Sequence, residues 1–329
     1  MRAAIITSFG GPEVLAVREV SDPVAGEAQV LVRVRASALN RADILQRLGR
    51  YPAPPGAPTD VAGIEFAGEV AACGPGVTRW QPGDRVYGIT GGGGHAQLLV
   101  AHERTIVRIP DRWSFIEAAA IPEAFITAHD ALVSQAGLEA GESVLIHAIG
   151  SGVGLAASQL AHALGARVFG TTRSRAKLDR AREFGMDDGL VVGDTLDTLG
   201  SAVDAFTAGA GIHVTLDLLG GPYLGASLRV AALRGRVMLV GTIAGATSTL
   251  DHRIVLARQL TLRGTVLRPR SLAEKVAASE AFDRDVTPLL AAGSVRPVVD
   301  CVFPLGEIAA AHAAMESNTT FGKVVVDLG

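Results

Sequence analysis

The residues with the clearest chemical potential gather around one glycine turn. Gly150-Ser151-Gly152-Val153-Gly154 follows a short apolar run, Ser143–Ala148. It precedes a helical pattern, apolar at Leu155, Leu160, Ala161 and Leu164, that stops at Gly165. Strand, small-residue turn and helix in that order suit a phosphate group. The backbone can approach closely, and the helix N-terminus offers unbonded N–H groups and the positive end of its dipole. The turn departs from the strict G-x-G-x-x-G spacing, because Leu155 stands in the third glycine's place. The stretch Ser143–Ala166 carries no charged side chain, but its glycines, histidines, serines and glutamine argue against a membrane span.

The next strand discriminates between dinucleotides. NAD-binding folds place an acidic residue about twenty positions past the glycine turn, where it holds the ribose hydroxyls. Here the strand ends Phe169-Gly170-Thr171-Thr172 and is followed by Arg173, Ser174, Arg175 and Lys177. Without a carboxylate nothing repels a 2′-phosphate, and guanidinium or ammonium groups would pair with it. The competing reading is a solvated basic first turn of helix, although cations there oppose the helix dipole. The expectation is NADPH rather than NADH.

These groups need a frame. From Met1 to about Arg108, short apolar or alternating runs recur between turn signals such as Gly10-Gly11-Pro12, Gly74-Pro75-Gly76 and Gln81-Pro82-Gly83-Asp84, the pattern of a β barrel or sandwich. One segment interrupts it. Asn40–Pro58 holds a short helical turn and then Tyr51-Pro52-Ala53-Pro54-Pro55-Gly56, a Pro-rich loop of the kind that serves as a linker or as part of a site. At Ser114-Phe115-Ile116-Glu117 a capping box changes the style. A helix over Glu123–Ala136 follows, and then six strands alternate with helices, predicting a doubly wound parallel sheet. Helices are expected at Leu224–Leu233 and, unbroken, at Ser271–Ala292. The tail after Leu267 is expected to return to the first domain, giving residues 1–121 and 267–329 to a catalytic domain and 122–266 to a nucleotide domain. A ligand cleft between two such lobes is a common place for a small molecule.

Composition excludes other classes. With 48% hydrophobic and 19% charged residues over 329 positions, the chain is globular rather than disordered and long enough for two cores. A net charge of −3 without a basic block disfavours nucleic acid, and no amphipathic basic helix suggests a membrane surface. Two distant cysteines, Cys73 and Cys301, exclude a disulfide framework and are expected to be inert core thiols. MRAAIITSFG reads as a first strand and not as a signal peptide, so a cytoplasmic location is expected.

Further motifs carry a resemblance. They are Ala38-Leu39-Asn40-Arg41-Ala42-Asp43, the Tyr51 loop, Gly63-Ile64-Glu65-Phe66-Ala67-Gly68, Ala118-Ala119-Ala120-Ile121-Pro122-Glu123-Ala124, Ser151-Gly152-Val153-Gly154 and Phe321-Gly322-Lys323-Val324. Together they resemble the medium-chain dehydrogenase/reductase superfamily, and within it the zinc-free, zeta-crystallin-like NADPH:quinone oxidoreductases of the tumour-suppressor-inducible branch. The resemblance implies an α/β protein with a GroES-like barrel built from both chain ends and an inserted Rossmann domain. It implies a homodimer joined through the Rossmann edge strand, here Leu260–Val266.

Zinc-dependent relatives carry a cysteine near Asn40 and a histidine near Glu65. This chain has neither, and His95, His102, His129 and His147 lack ligand spacing, so no metal is expected. By resemblance, Asn40, Asp43 and Tyr51 line the nicotinamide and substrate cleft as catalytic residues. Cofactor contacts fall to Thr127, Gly150, Ser151, Gly152, Val153, Gly154, Thr171, Arg173, Arg175, Lys177, Leu219, Gly241, Asn318 and Lys323. Close relatives carry a tyrosine where Val192 stands, which leaves 2′-phosphate recognition to Arg173, Arg175 and Lys177. A hydride moved to a quinone leaves charge on its oxygen, for which Tyr51, Asn40 or a water is the expected donor. The alternatives are an NADPH-dependent enone or enoyl-thioester reductase and, in another class, a non-catalytic crystallin-like or RNA-binding NADPH protein, the RNA role opposed by the net charge.

Overall fold

Alternation and turn chemistry divide the first hundred residues into strands that bury one face. The computed structural model describes residues 1–193 and 195–329. Its first strands are β1 (Arg2–Ile6), β2 (Leu15–Glu19), β3 (Gln29–Ala38), β4 (Glu65–Cys73), β5 (Arg85–Ile89), β6 (Leu98–His102) and β7 (Ile106–Arg108). Along β3, Val30, Val32 and Val34 face inward and Arg33 outward. The middle of the chain contributes β8 (Ser143–His147), β9 (Arg167–Thr172), β10 (Asp188–Val191), β11 (Ile212–Asp217), β12 (Ala231–Leu239) and β13 (Thr261–Gly264). The tail adds β14 (Val299–Pro304) and β15 (Lys323–Asp327).

Two compact units result, Met1–Ile126 with Leu267–Gly329, and Thr127–Val266. The chain crosses from the first into the second within the helix Pro122–His129. In the first unit the tail comes home: β15 runs antiparallel to β3, pairing Val325 with Ala38 and Val326 with Ser37. The sheet reads β14-β15-β3-β4-β5-β7, with β6 also on β3. Val324, Val326 and Leu328 therefore share one buried cluster with Val30, Val32, Phe66 and Val86. This is a GroES-like barrel made from both chain ends. In the second unit the strands read β10-β9-β8-β11-β12-β13, all parallel. That is the Rossmann order, reversing between β8 and β11, where ligands bind in such sheets.

Three expected helices differ, the first being Glu123–Ala136, which is α-helical over Pro122–His129 and a wider π-helix over Asp130–Gln135. The helix expected over Leu224–Leu233 ends at Val230, and Ala231 already begins β12, which kinks at Arg234 (φ 59°). The helix expected over Ser271–Ala292 is two, Leu272–Asp285 and Thr287–Ala292. Pro288 lies in the first turn of the second, where its missing N–H costs nothing; inside one continuous helix it would have broken the ladder. Cys73 is exposed rather than in the core, at the end of β4. No helix among the described residues is long and apolar enough to cross a membrane.

Candidate active site

In the barrel unit the helix Arg41–Arg47 begins where β3 leaves the sheet, and Asn40 and Asp43 form its first turn. Asp43 is fully buried. Its Oδ2 accepts from the Asn40 backbone N–H at 2.7 Å and its Oδ1 from that of Gly63 at 2.9 Å. Glycine is required at 63: φ is +98°, and a Cβ there would lie 2.4 Å from the His95 nitrogen. Asp43 thus ties a helix start to the chain entering β4. Fully buried and with both oxygens bonded to backbone N–H groups, it has a structural place, which corrects the catalytic one expected.

Behind Asn40 lies a closed polar cluster. Lys323, nine-tenths buried, donates its three ammonium hydrogens to Leu39 O at 2.8 Å, Asn40 Oδ1 at 2.7 Å and Glu65 Oε1 at 2.6 Å. Asn40 directs Nδ2 to Glu65 Oε1 at 2.8 Å and Ala38 O at 3.3 Å. The backbone N–H of Glu123 reaches Glu65 Oε2 at 2.8 Å. Burial pushes the Glu65 carboxyl above its usual range, while Lys323, Asn40 and the Glu123 N–H pull the other way. Both amide hydrogens of Asn40 and all three of Lys323 are therefore engaged. Asn40 is not a free donor for a substrate oxygen, and Lys323 supports Asn40 and Glu65 rather than reaching outward.

His95 adds a second layer. Ser37 donates its hydroxyl hydrogen to Glu65 O at 2.8 Å, so His95 Nδ1, 2.9 Å away, is the donor to Ser37. Its Nε2 stands 4.0 Å from Asp43 Oδ2. Burial pushes the imidazole pKa down. The residue is a buried support.

Tyr51 stands apart from this cluster and is half-buried. The Arg268 guanidinium lies over its ring, 5.1 Å from the centroid, and donates Nη1 to Tyr51 O at 3.3 Å. The hydroxyl has no hydrogen bond among the described residues. Burial raises its pKa, with Arg268 opposing, so it keeps its proton at neutral pH. Asn318 (φ 59°) is exposed; its amide accepts from Arg41 and donates to Glu316 O at 3.0 Å.

The Rossmann unit holds the glycine turn. Ser151 caps the helix Gly152–Ala163 by accepting from Gly154 N at 3.1 Å. A Cβ on Gly154 would fall 2.6 Å from Ala148 O, so only glycine lets the helix start lie this close to the end of β8. Ile149 N donates to Thr171 O at 3.0 Å and links the turn to β9. The Thr171 side chain is buried and differs from expectation, because it is taken by His147. Ser227 donates to Tyr223 O at 2.8 Å, so His147 Nε2 donates to Ser227 (2.9 Å) and its Nδ1 accepts from Thr171 Oγ1 (2.8 Å). Burial holds the His147 pKa down at about 3.

Beyond β9, Arg173 and Arg175 are exposed and Lys177 is half-buried. Arg175 lies 3.9 Å from Asp179. Leu219 N donates to Asp217 Oδ1 at 2.9 Å, and Gly241 would place a Cβ 2.5 Å from Leu218 O at the ends of β11 and β12. Thr127 is buried in its helix. Among the described residues no group of three or more His, Cys, Asp or Glu could hold a metal.

Glu65, Arg268, His95 and His147 matter here and carry no site assignment in the sequence reading. A charged residue inside the apolar run Gly63–Gly68 was the available signal for Glu65; the partners of Arg268 are distant in sequence and gave none.

Two family models match this chain: zinc-binding dehydrogenase over residues 152–282 and the alcohol dehydrogenase GroES-like domain over residues 26–111. The quinone oxidoreductase of Lama guanicoe is 32% identical over 334 residues, covering 99% of this chain and 97% of its own. The chain belongs to the medium-chain dehydrogenase/reductase oxidoreductases, in the quinone oxidoreductase-like branch without the zinc ligands. A Streptomyces venezuelae protein, pikromycin polyketide synthase component PikAII, is 41% identical over 216 residues, or 66% of this chain. The chain spans only 6% of that synthase. Among solved structures, a mycobacterial protein complexed with NADPH superposes with a TM-score of 0.89 at 28% identity, each chain covered in full. CurK enoyl reductase gives 0.86 at 29% identity, covering 100% of this chain and 99% of its own.

Proposed function

We propose that this protein is an NADPH-dependent quinone reductase in which Tyr51 donates the hydrogen bond that stabilises the reduced substrate oxygen. The observation that carries the reading is the difference between Tyr51 and Asn40. The tyrosine hydroxyl is protonated and has no hydrogen-bond partner among the described residues, whereas both amide hydrogens of Asn40 are engaged. A donor aimed where negative charge develops stabilises a transition state without reorganisation. NADPH, when bound, supplies the hydride. The residues proposed to hold it are the 150–154 turn for the pyrophosphate and Arg173, Arg175 and Lys177 for the 2′-phosphate. The Gly154 cradle, closed to any Cβ, and the exposed Arg173 fit that group.

The likeness to CurK enoyl reductase favours a second reading, reduction of an enone or enoyl thioester, in which Tyr51 would bond the carbonyl oxygen of the forming enolate. Steady-state rates with NADPH on a quinone panel and an enone panel decide between them. Faster turnover of enones than of quinones replaces the first reading with the second. NADPH binding with no turnover on either panel contradicts both.

We also propose that a second copy of the chain covers the outer edge of β13. Every residue of that strand is exposed, with Leu256, Leu262 and Val266 among the exposed apolar side chains, and such an edge invites pairing. Light scattering that finds a dimer in the wild type and a monomer in Leu262→Glu supports this; a monomeric wild type contradicts it.

A further inference from the structure

Arg268 is 6% exposed, and its guanidinium joins three separate segments of the barrel unit. Nε donates to Gly91 O at 2.8 Å, Nη1 to Tyr51 O at 3.3 Å and Nη2 to Gln46 Oε1 at 2.5 Å. Gln46 donates in turn to Thr59 O at 3.1 Å, so helix end, tyrosine and the far end of the Pro-rich loop are linked. The loop lies close against the glycine run, where a side chain would collide with it. A Cβ on Gly91 would lie 2.9 Å from both Ala57 Cβ and Pro54 Cγ. Among the described residues no carboxylate hydrogen-bonds this guanidinium; its acceptors are two carbonyls and an amide, and Asp43 and Glu123 act on it only through space. Burying a charge with neutral hydrogen-bond acceptors is costly, and an apolar side chain would fill the space without that cost. What an apolar chain could not do is fix direction. A planar fork sets the backbone at Tyr51 and faces its ring at once.

We infer that Arg268 is a positioning residue for Tyr51: it holds the loop and the ring so that the hydroxyl stands ready before the substrate arrives. The inference rests on Tyr51 being the oxyanion donor proposed above. A misplacement of about 1 Å can cost on the order of 10²-fold in rate, so holding this ring is a sufficient reason for a buried arginine.

The test is a set of variants assayed with 1,4-naphthoquinone, or with the preferred enone if the panels select one. Arg268→Gln is expected to lower kcat about 10- to 100-fold with KM and the NADPH dissociation constant changed by less than about threefold. Arg268→Lys keeps the charge without the fork and recovers only part of that loss. Gln46→Ala removes one anchor, gives a smaller loss in the same direction, and carries the test if Arg268→Gln does not fold. In a Tyr51→Phe background, Arg268→Gln should add less than about a threefold further loss, because the two act as one unit. Unchanged kcat in Arg268→Gln or Gln46→Ala overturns the inference. So does a full additional loss in the Tyr51→Phe background. A silent Tyr51→Phe overturns the reading of Tyr51 itself, and this inference with it, and is distinguishable from the other two results.

Discussion

Asn40 and Tyr51 are eleven positions apart and follow opposite rules. The Asn40 cluster is closed: every hydrogen on Lys323 and on the Asn40 amide is directed at Glu65, at a backbone carbonyl or, from Lys323, at Asn40 Oδ1. At Tyr51 the backbone and ring are held, and the hydroxyl is left open. Residues that look chemically capable can exist to hold the architecture. The group able to bond a substrate is the one whose own capacity is unused.

The largest effect should come from opening the closed cluster. Glu65→Ala leaves Lys323 buried without its carboxylate, and breaking such a pair typically costs about 3–5 kcal/mol. Urea unfolding should show the loss, and replacing Lys323 by Met in the same chain should recover part of it. An unchanged midpoint would mean that the cluster is not closed. Next in size is Tyr51→Phe, expected to lower kcat/KM about 10²-fold, near 2.7 kcal/mol, with the unfolding midpoint unchanged. Equal losses of stability and turnover would erase the contrast between the two regions.

A pH effect of similar size separates buried from open groups. Burial holds the folded pKa values of His147 and of His312, in the helix Ile308–Glu316, down at about 3, against 6.5 unfolded. In the window between those values the unfolded state binds more protons, so their contribution is fully present above 6.5 and is lost as pH falls. Each histidine should cost on the order of 2–3 kcal/mol between pH 6.5 and 4.5. His147→Gln should flatten the slope of stability against pH by about one proton; an unaltered slope would place the titration elsewhere. The smallest effect is at the exposed arginine. Arg173→Ala should weaken NADPH about tenfold, roughly 1.4 kcal/mol, leave NADH binding unchanged, and do so less at high salt. Equal weakening of both cofactors would contradict its role.

The fold was legible because hydrophobic period and turn residues carry it: the alternation of β3 and the glycine turn after β8 follow from local pattern, whereas the pairing of the tail with β3 has no local signature. The places where the reading failed share a cause. Thr171, Asp43 and Lys323 looked available because their partners, His147, Gly63 and Glu65, are 20 to 258 positions away. Side-chain hydrogen-bond partners across the fold have no local signature. Arg268 was silent for the same reason, since it reaches Gln46 over 222 positions. Helix ends failed more mildly, at Val230 and at Pro288, where sheet pairing and a missing N–H decided the boundary.

The central claim is that turnover depends on the open Tyr51 hydroxyl while the polar cluster around Asn40 serves structure. It is tested most directly by the kcat of Tyr51→Phe with NADPH and 1,4-naphthoquinone, measured beside the NADPH dissociation constant. kcat should fall about 10²-fold with cofactor binding unchanged. Turnover within about threefold of the wild type would contradict it.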